Sequence, residues 1–136
     1  MSRDDEHDIA KVLVAYAASI DGRDWDRFRT CFTADVEAVY DGVGTWHDVE
    51  AIAAFMVEAH VGMGPTLHRL SNLDIAVDGD RASARSYVDA VVLAPDGELG
   101  IQTLGTYDDD LIRTDDGWRI ARRHFMAVRF DVIGSP

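Results

Sequence analysis

The feature that most constrains this chain is a change of rhythm at Pro65. Before it, apolar residues return every three or four positions; after it, long alternating stretches are separated by hairpin chemistry. Ile9, Val12, Leu13, Tyr16, Ala17 and Ile20 form one stripe, the mark of an amphipathic helix. Asp4, Asp5 and Glu6 suit its positive N-terminal end, and Gly22 is its expected stop. Asp24 caps a second, short helix with Trp25, Phe28 and Phe32 as its apolar side. Residues 36–40 read as a strand, followed by an Asp41–Gly42 turn. Asp48 caps a third helix carrying Ile52, Phe55, Met56 and Ala59, ended by Gly62, Gly64 and Pro65.

Residues 66–77, 81–94, 99–113 and 117–130 read as four long strands. Asp78–Gly79, Pro95–Asp96–Gly97 and Asp115–Asp116–Gly117 supply the turns. Helices first and an antiparallel meander afterwards make an α+β fold. A sheet of long strands curls strongly. The expectation is a cone-shaped α+β barrel: three N-terminal helices on the concave face of a curved, mostly antiparallel sheet, enclosing a pocket. No repeat or Pro-rich linker divides the 136 residues, so they read as a single domain, 1–136.

Acids outnumber bases 25 to 13, for a net charge of −12. That balance argues against nucleic acid and against anionic membrane as partners. The single cysteine, Cys31, rules out an internal disulfide and a cysteine-rich metal site. With an acidic, polar start and no apolar run near the ~20 residues of a membrane span, the expected location is cytoplasmic. Phosphate-loop, GxSxG and HExxH patterns are missing, so no metal or cofactor is called for.

The candidates for chemistry are few. Asp21 closes the first helix. Tyr16 precedes it by five, about 140° around a continuous helix, so the two meet only if the chain turns near Ile20. His68, early in the first long strand, is the histidine best placed for proton transfer; His7 falls in a frayed terminus, and His47 and His60 flank the third helix. Tyr40, Trp46, Trp25, Phe55 and Val88 are the expected cavity lining, and Trp118 a structural plug. In the last strand, alternation sets Trp118, Ile120, Arg122, His124 and Met126 against Arg119, Ala121, Arg123, Phe125 and Ala127, and a bulge would switch that parity. Arg123 is the candidate cation for an oxyanion. Asp89, inside an apolar run, needs a partner, and a part for Asp89 or His124 stays open. Asp108-Asp-Asp110 reads as a solvated hairpin.

Together these pieces resemble the SnoaL-like branch of the nuclear transport factor 2-like superfamily. The resemblance rests on Tyr16…Asp21-Gly-Arg-Asp-Trp, Cys31-Phe-Thr-Ala-Asp35, Gly44-Thr-Trp, Thr66-Leu-His68…Asn72, Gly105-Thr-Tyr107 and Asp116-Gly-Trp-Arg-Ile120. Its functional likeness is to scytalone dehydratase, bile acid 7α-dehydratase and hexachlorocyclohexane dehydrochlorinase. These are cofactor-free lyases built on an Asp–His pair. The resemblance puts Asp21 and His68 in that pair. Tyr16 falls where the bile-acid enzyme has a tyrosine, Tyr40 where scytalone dehydratase has a pocket tyrosine, and Arg123 near an arginine of the dehydrochlorinase. The second catalytic histidine of scytalone dehydratase has no match around residues 89–93, and the lysine of the dehydrochlorinase has none in the first helix. The resemblance implies a lyase on a small apolar ring compound, with a ketosteroid-isomerase-type isomerase or cyclase and a non-catalytic binder as alternatives. An epoxide hydrolase of this fold would need two carboxylates bridged by arginine, which Asp89 and Arg123 match poorly. The outer sheet face is the expected contact of a homodimer or homotrimer.

Overall fold

The computed structural model describes residues 2–134, so the terminal Pro136 lies outside the described residues. Helix α1 (Ser2–Asp21) and helix α2 (Trp25–Arg29) lead into strand β1 (Phe32–Tyr40) and the short β2 (Gly44–Trp46). Helix α3 (Val49–His60) follows, then β3 (Thr66–Asp78), β4 (Arg81–Leu93), β5 (Gly100–Thr114) and β6 (Gly117–Ile133). The six strands form one curved, unclosed sheet in the order β2-β1-β6-β5-β4-β3. The expected meander β3–β6 is antiparallel throughout, and β1 joins it by pairing in parallel with β6. No helix among the described residues is long and apolar enough to cross a membrane.

The two N-caps form as the sequence requires: the Asp24 carboxylate accepts from the Arg27 N–H and the Asp48 carboxylate from the Ala51 N–H. Helix α1 buries Ile9, Leu13, Tyr16, Ala17 and Ile20 against the sheet, one face of a 3.6-residue repeat. Alanines 82, 84 and 90 on the inner face of β4 are buried, small enough for close approach. Trp118 is buried at one end of the core; its indole N–H donates to Asp5 Oδ1 at 3.2 Å and Arg113 lies over its ring.

Four local expectations change. Phe32 belongs to β1, not to the apolar side of α2, because Thr30 ends that helix after one turn. The glycine-rich turn before Trp46 carries a short strand of its own, β2, paired with β1. His7 sits inside α1 rather than in a frayed end. And α1 is stopped by Arg23, not Gly22: Arg23 N–H donates to Ile20 O and Asp24 N–H to Ser19 O, a Schellman closure. Arg23 takes the left-handed conformation, φ 56°, that this closure demands. A side chain there costs about 1–2 kcal/mol relative to glycine.

Parity in β6 does switch. A register shift opposite Asp110 and Leu111 makes Ala121 an extra residue. Trp118 and Ile120 face inward before it, and Arg123 and Phe125 face inward after it. The acidic run 108–110 is therefore not simply solvated. Asp109 points into the core and pairs with Arg123, both side chains fully buried.

Candidate active site

The end of α1 and the start of β3 meet at Asp21. Its Oδ1 accepts from His68 Nδ1 at 2.7 Å and from the Thr66 hydroxyl at 2.9 Å. Its Oδ2 accepts from the His68 backbone N–H at 2.8 Å. Because a carboxylate only accepts, His68 Nδ1 carries the proton and Nε2 is left with a lone pair. The His68 and Asp21 side chains are 11% and 19% exposed, so solvent around them is reduced but not excluded. Burial alone would raise the Asp21 carboxyl. The side-chain and backbone hydrogen bonds from His68, its charge and the Thr66 hydroxyl outweigh that, and the carboxyl lies below its ordinary value.

Register continues the site across the sheet. His68 pairs with Ala90, Ala90 with Thr103 and Thr103 with Phe130, so all four side chains share the inner face. The next row is Thr66, Val92, Ile101 and Val132. Phe130, Ile101 and Val132 are exposed, so an apolar apron runs from the pair to solvent.

His60, at the end of α3, is a residue that spacing in the sequence left aside. Its ring packs on Trp25 at 5.8 Å and its Nδ1 donates to Met56 O at 2.7 Å, which leaves Nε2 bare. Burial lowers its pKa, and the positive neighbours Arg23 and His68 act in the same sense; it also feels the charge of Asp21. Only the three-dimensional closeness of the α3 end to β3 brings it into play. A second missed residue is Asp109; Tyr107 and Leu111, two positions to either side and on the same face by alternation, were the available signal.

The other expected residues are placed as follows. Tyr16 is buried on the inner side of α1, its hydroxyl 2.7 Å from that of Tyr40 and 3.4 Å from that of Tyr107. Burial pushes its phenol well above the ordinary value, so it stays protonated. Arg123 lies 4.1 Å over the Tyr16 ring and 3.9 Å over the Tyr107 ring, and grips Asp109 through two bonds of 2.7 and 2.9 Å. Burial raises the Asp109 carboxyl, a shift the guanidinium opposes. The Tyr16 hydroxyl is thus engaged by two tyrosines, and the Arg123 guanidinium is paired with Asp109. Trp46 packs at a tilt on Phe55 at 4.6 Å and meets Tyr40 edge-on at 5.6 Å, while Val88 is buried on the inner face of β4. Asp89 is on the outer face, held by Arg69 at 2.6 Å and Gln102 at 2.9 Å, so it does not join Arg123. His124 is also outside, bonded to Asp41 at 2.8 Å. Among the described residues no three His, Cys, Asp or Glu side chains gather to hold a metal ion.

Residues 1–124 match the SnoaL-like domain. The chain belongs to the SnoaL-like family. This SnoaL-like domain has the nuclear transport factor 2-like fold. It is 35% identical over 121 residues to the uncharacterized protein Rv2910c of Mycobacterium tuberculosis, spanning 88% of this chain and 82% of that one. Among solved structures it is similar to a protein described as an aromatic ring hydroxylase from Novosphingobium aromaticivorans, with 26% identity and a TM-score of 0.86 over 97% of this chain and 94% of the other. A second protein of that organism, described as a scytalone dehydratase, superposes with a TM-score of 0.85 over 96% and 88% of the two chains. At 20% identity that second likeness is one of fold.

Proposed function

We propose that this SnoaL-like domain is a cofactor-free lyase that removes water from a small apolar ring compound, a steroid, polyketide or terpenoid fragment. The observation that carries the reading is the 2.7 Å bond between His68 Nδ1 and Asp21 Oδ1 on a half-buried inner face. It leaves Nε2 as a base aimed away from its carboxylate partner. The apolar apron of Phe130, Ile101 and Val132 suits an apolar ring.

In the reaction, Nε2 takes the proton from the carbon next to a ring carbonyl. The C–H electrons become a carbon–carbon double bond as the C–O bond beyond it breaks. The departing hydroxide takes the same proton back from Nε2 and leaves as water, so the pair returns to its resting form. Substrate becomes unsaturated ketone plus water, with no net oxidation and hence no need for a redox cofactor. Asp21 stabilises the imidazolium between the two transfers, and Thr66 and the His68 backbone N–H hold the carboxylate still. His60, with Nε2 bare, accepts a hydrogen bond from a substrate hydroxyl. Tyr16, Tyr40 and Arg123 serve as a rigid floor.

The second reading is an isomerase or cyclase of ketosteroid-isomerase type. It is favoured by the same fact that one base handles every proton: Nε2 would return the proton to a second carbon. A binder without turnover is the third.

The test is a thermal-shift panel of steroid, polyketide and terpenoid ring ketones and alcohols, followed by incubation of each hit with wild type and His68→Ala and mass analysis. We expect loss of water by wild type alone, with 3-hydroxy-1-tetralone converted to 1-naphthol. A product of unchanged mass with a moved double bond would identify the isomerase. Binding without turnover would identify a carrier.

A further inference from the structure

We propose that Arg23 and Thr66 are positioning residues: together they fix the direction of the hydrogen bonds onto Asp21 and so hold the His68 ring in one tautomer. The inference rests on the reading of Asp21 and His68 as the reacting pair and deepens it.

Arg23 Nη1 donates to Ile20 O at 2.7 Å and to Thr66 Oγ1 at 2.9 Å, and Nη2 donates to Gly64 O at 2.9 Å. A guanidinium has no acceptor, so Thr66 Oγ1 must accept from it. The one proton of that hydroxyl is then directed to Asp21 Oδ1. A free threonine at this position could instead accept from a protonated Asp21, and the carboxyl could turn. Arg23 disfavours both, since its charge and its claim on the Thr66 oxygen each select the ionised carboxylate. With Thr66 on Oδ1 and the His68 backbone N–H on Oδ2, the carboxylate plane is set, and Oδ1 meets the Nδ1 proton squarely.

The backbone points the same way. Arg23 sits at φ 56°, while Gly22 beside it is not left-handed. Glycine would close the helix without strain at position 23. A side chain that costs strain there and makes three bonds around the pair has a task beyond ending a helix. That also separates this network from the outer-face pairs, which touch neither Asp21 nor His68.

Three variants of the full chain test it: Arg23→Gly, Thr66→Val and Thr66→Ser. The first readout needs no substrate: nitrogen NMR of the His68 ring. Wild type and Thr66→Ser should show a single tautomer with the proton on Nδ1. Arg23→Gly and Thr66→Val should show mixed tautomers and an Nδ1 proton that exchanges about tenfold faster, as a loosened local contact does. The second readout is dehydration of 3-hydroxy-1-tetralone. There kcat should fall about 10–100-fold in those two variants with KM little changed, the cost of a misplaced base. An unchanged His68 ring spectrum in both Arg23→Gly and Thr66→Val overturns the proposal whatever the turnover. Failure of wild type to act on any ring ketone overturns the lyase reading instead, and the ring spectrum still decides the role of Arg23 and Thr66.

Discussion

Asp21 links the proposed chemistry to the acid stability of this domain. Its carboxyl titrates below the ordinary value of 3.8 in the folded chain. The unfolded chain therefore binds protons first as pH falls. The stability this contributes is fully present above about pH 4 and is lost as pH drops through the lowered folded value. Urea unfolding of wild type against Asp21→Asn should show the gap between them closing over that acid range. His60 has the opposite chemistry and the same sign. Burial lowers its pKa from 6.5, so protonation is easier in the unfolded chain. Stability should decline as pH falls below about 6.5, and His60→Phe, which keeps a ring on Trp25, should flatten that decline. For catalysis, His68→Ala should lower the rate of 1-naphthol formation from 3-hydroxy-1-tetralone about 10²–10⁴-fold, followed by proton NMR. Asp21 and His68 were legible because their residue types, at a helix end and an early strand position, match a known pattern. His60 and Arg23 were not, since their partners lie on other elements and no spacing announces them.

Among the elements, β5 and β6 carry the buried pair Asp109–Arg123, opposite one another in register. Both side chains are fully buried, and Tyr16 and Tyr107 sandwich the guanidinium. Removing one partner leaves a buried charge without its counterion, at a cost of about 3–5 kcal/mol. Asp109→Ala should lose that much in denaturant unfolding, whereas Asp109→Leu with Arg123→Met should recover most of it. The elements themselves were largely readable: helix α1 from its apolar stripe, and β3–β6 from alternation and Asp-Gly turns. What local pattern missed were the short β2, the start of β1 at Phe32 and the bulge at Ala121. Each depends on a neighbouring strand to supply hydrogen bonds, so no local propensity reveals it.

For the molecule as a whole, the two faces of the sheet divide the work. The inner face holds the pair, the aromatic floor and the apron. Phe130→Ala should raise KM for an apolar ring ketone several-fold with kcat little changed, since it removes contact area remote from Nε2. The outer face carries a groove of about 840 Å³ lined by Glu37, His47, Arg85, Asp108 and His124. There Arg85 binds Asp108 through two bonds and His47 binds Glu37 at 2.6 Å. The homodimer or homotrimer expected of this chain would meet on that face. Light scattering should then give a multiple of 15.0 kDa, reduced by Arg85→Glu.

By itself the sequence determined the class of fold, because periodicity and turn chemistry are local and survive without partners. It also supplied the acid and the histidine of the proposed proton-transfer pair, Asp21 and His68. Only the tertiary structure decided which groups touch that pair. It set Thr66 on Asp21 and Arg23 on Thr66, brought the end of α3 to Trp25, turned Asp109 and Arg123 into the core and sent Asp89 and His124 outside. Side-chain facing in a long strand flips with a single bulge, and contacts between distant elements are set by packing, so neither is written in any short stretch of chain.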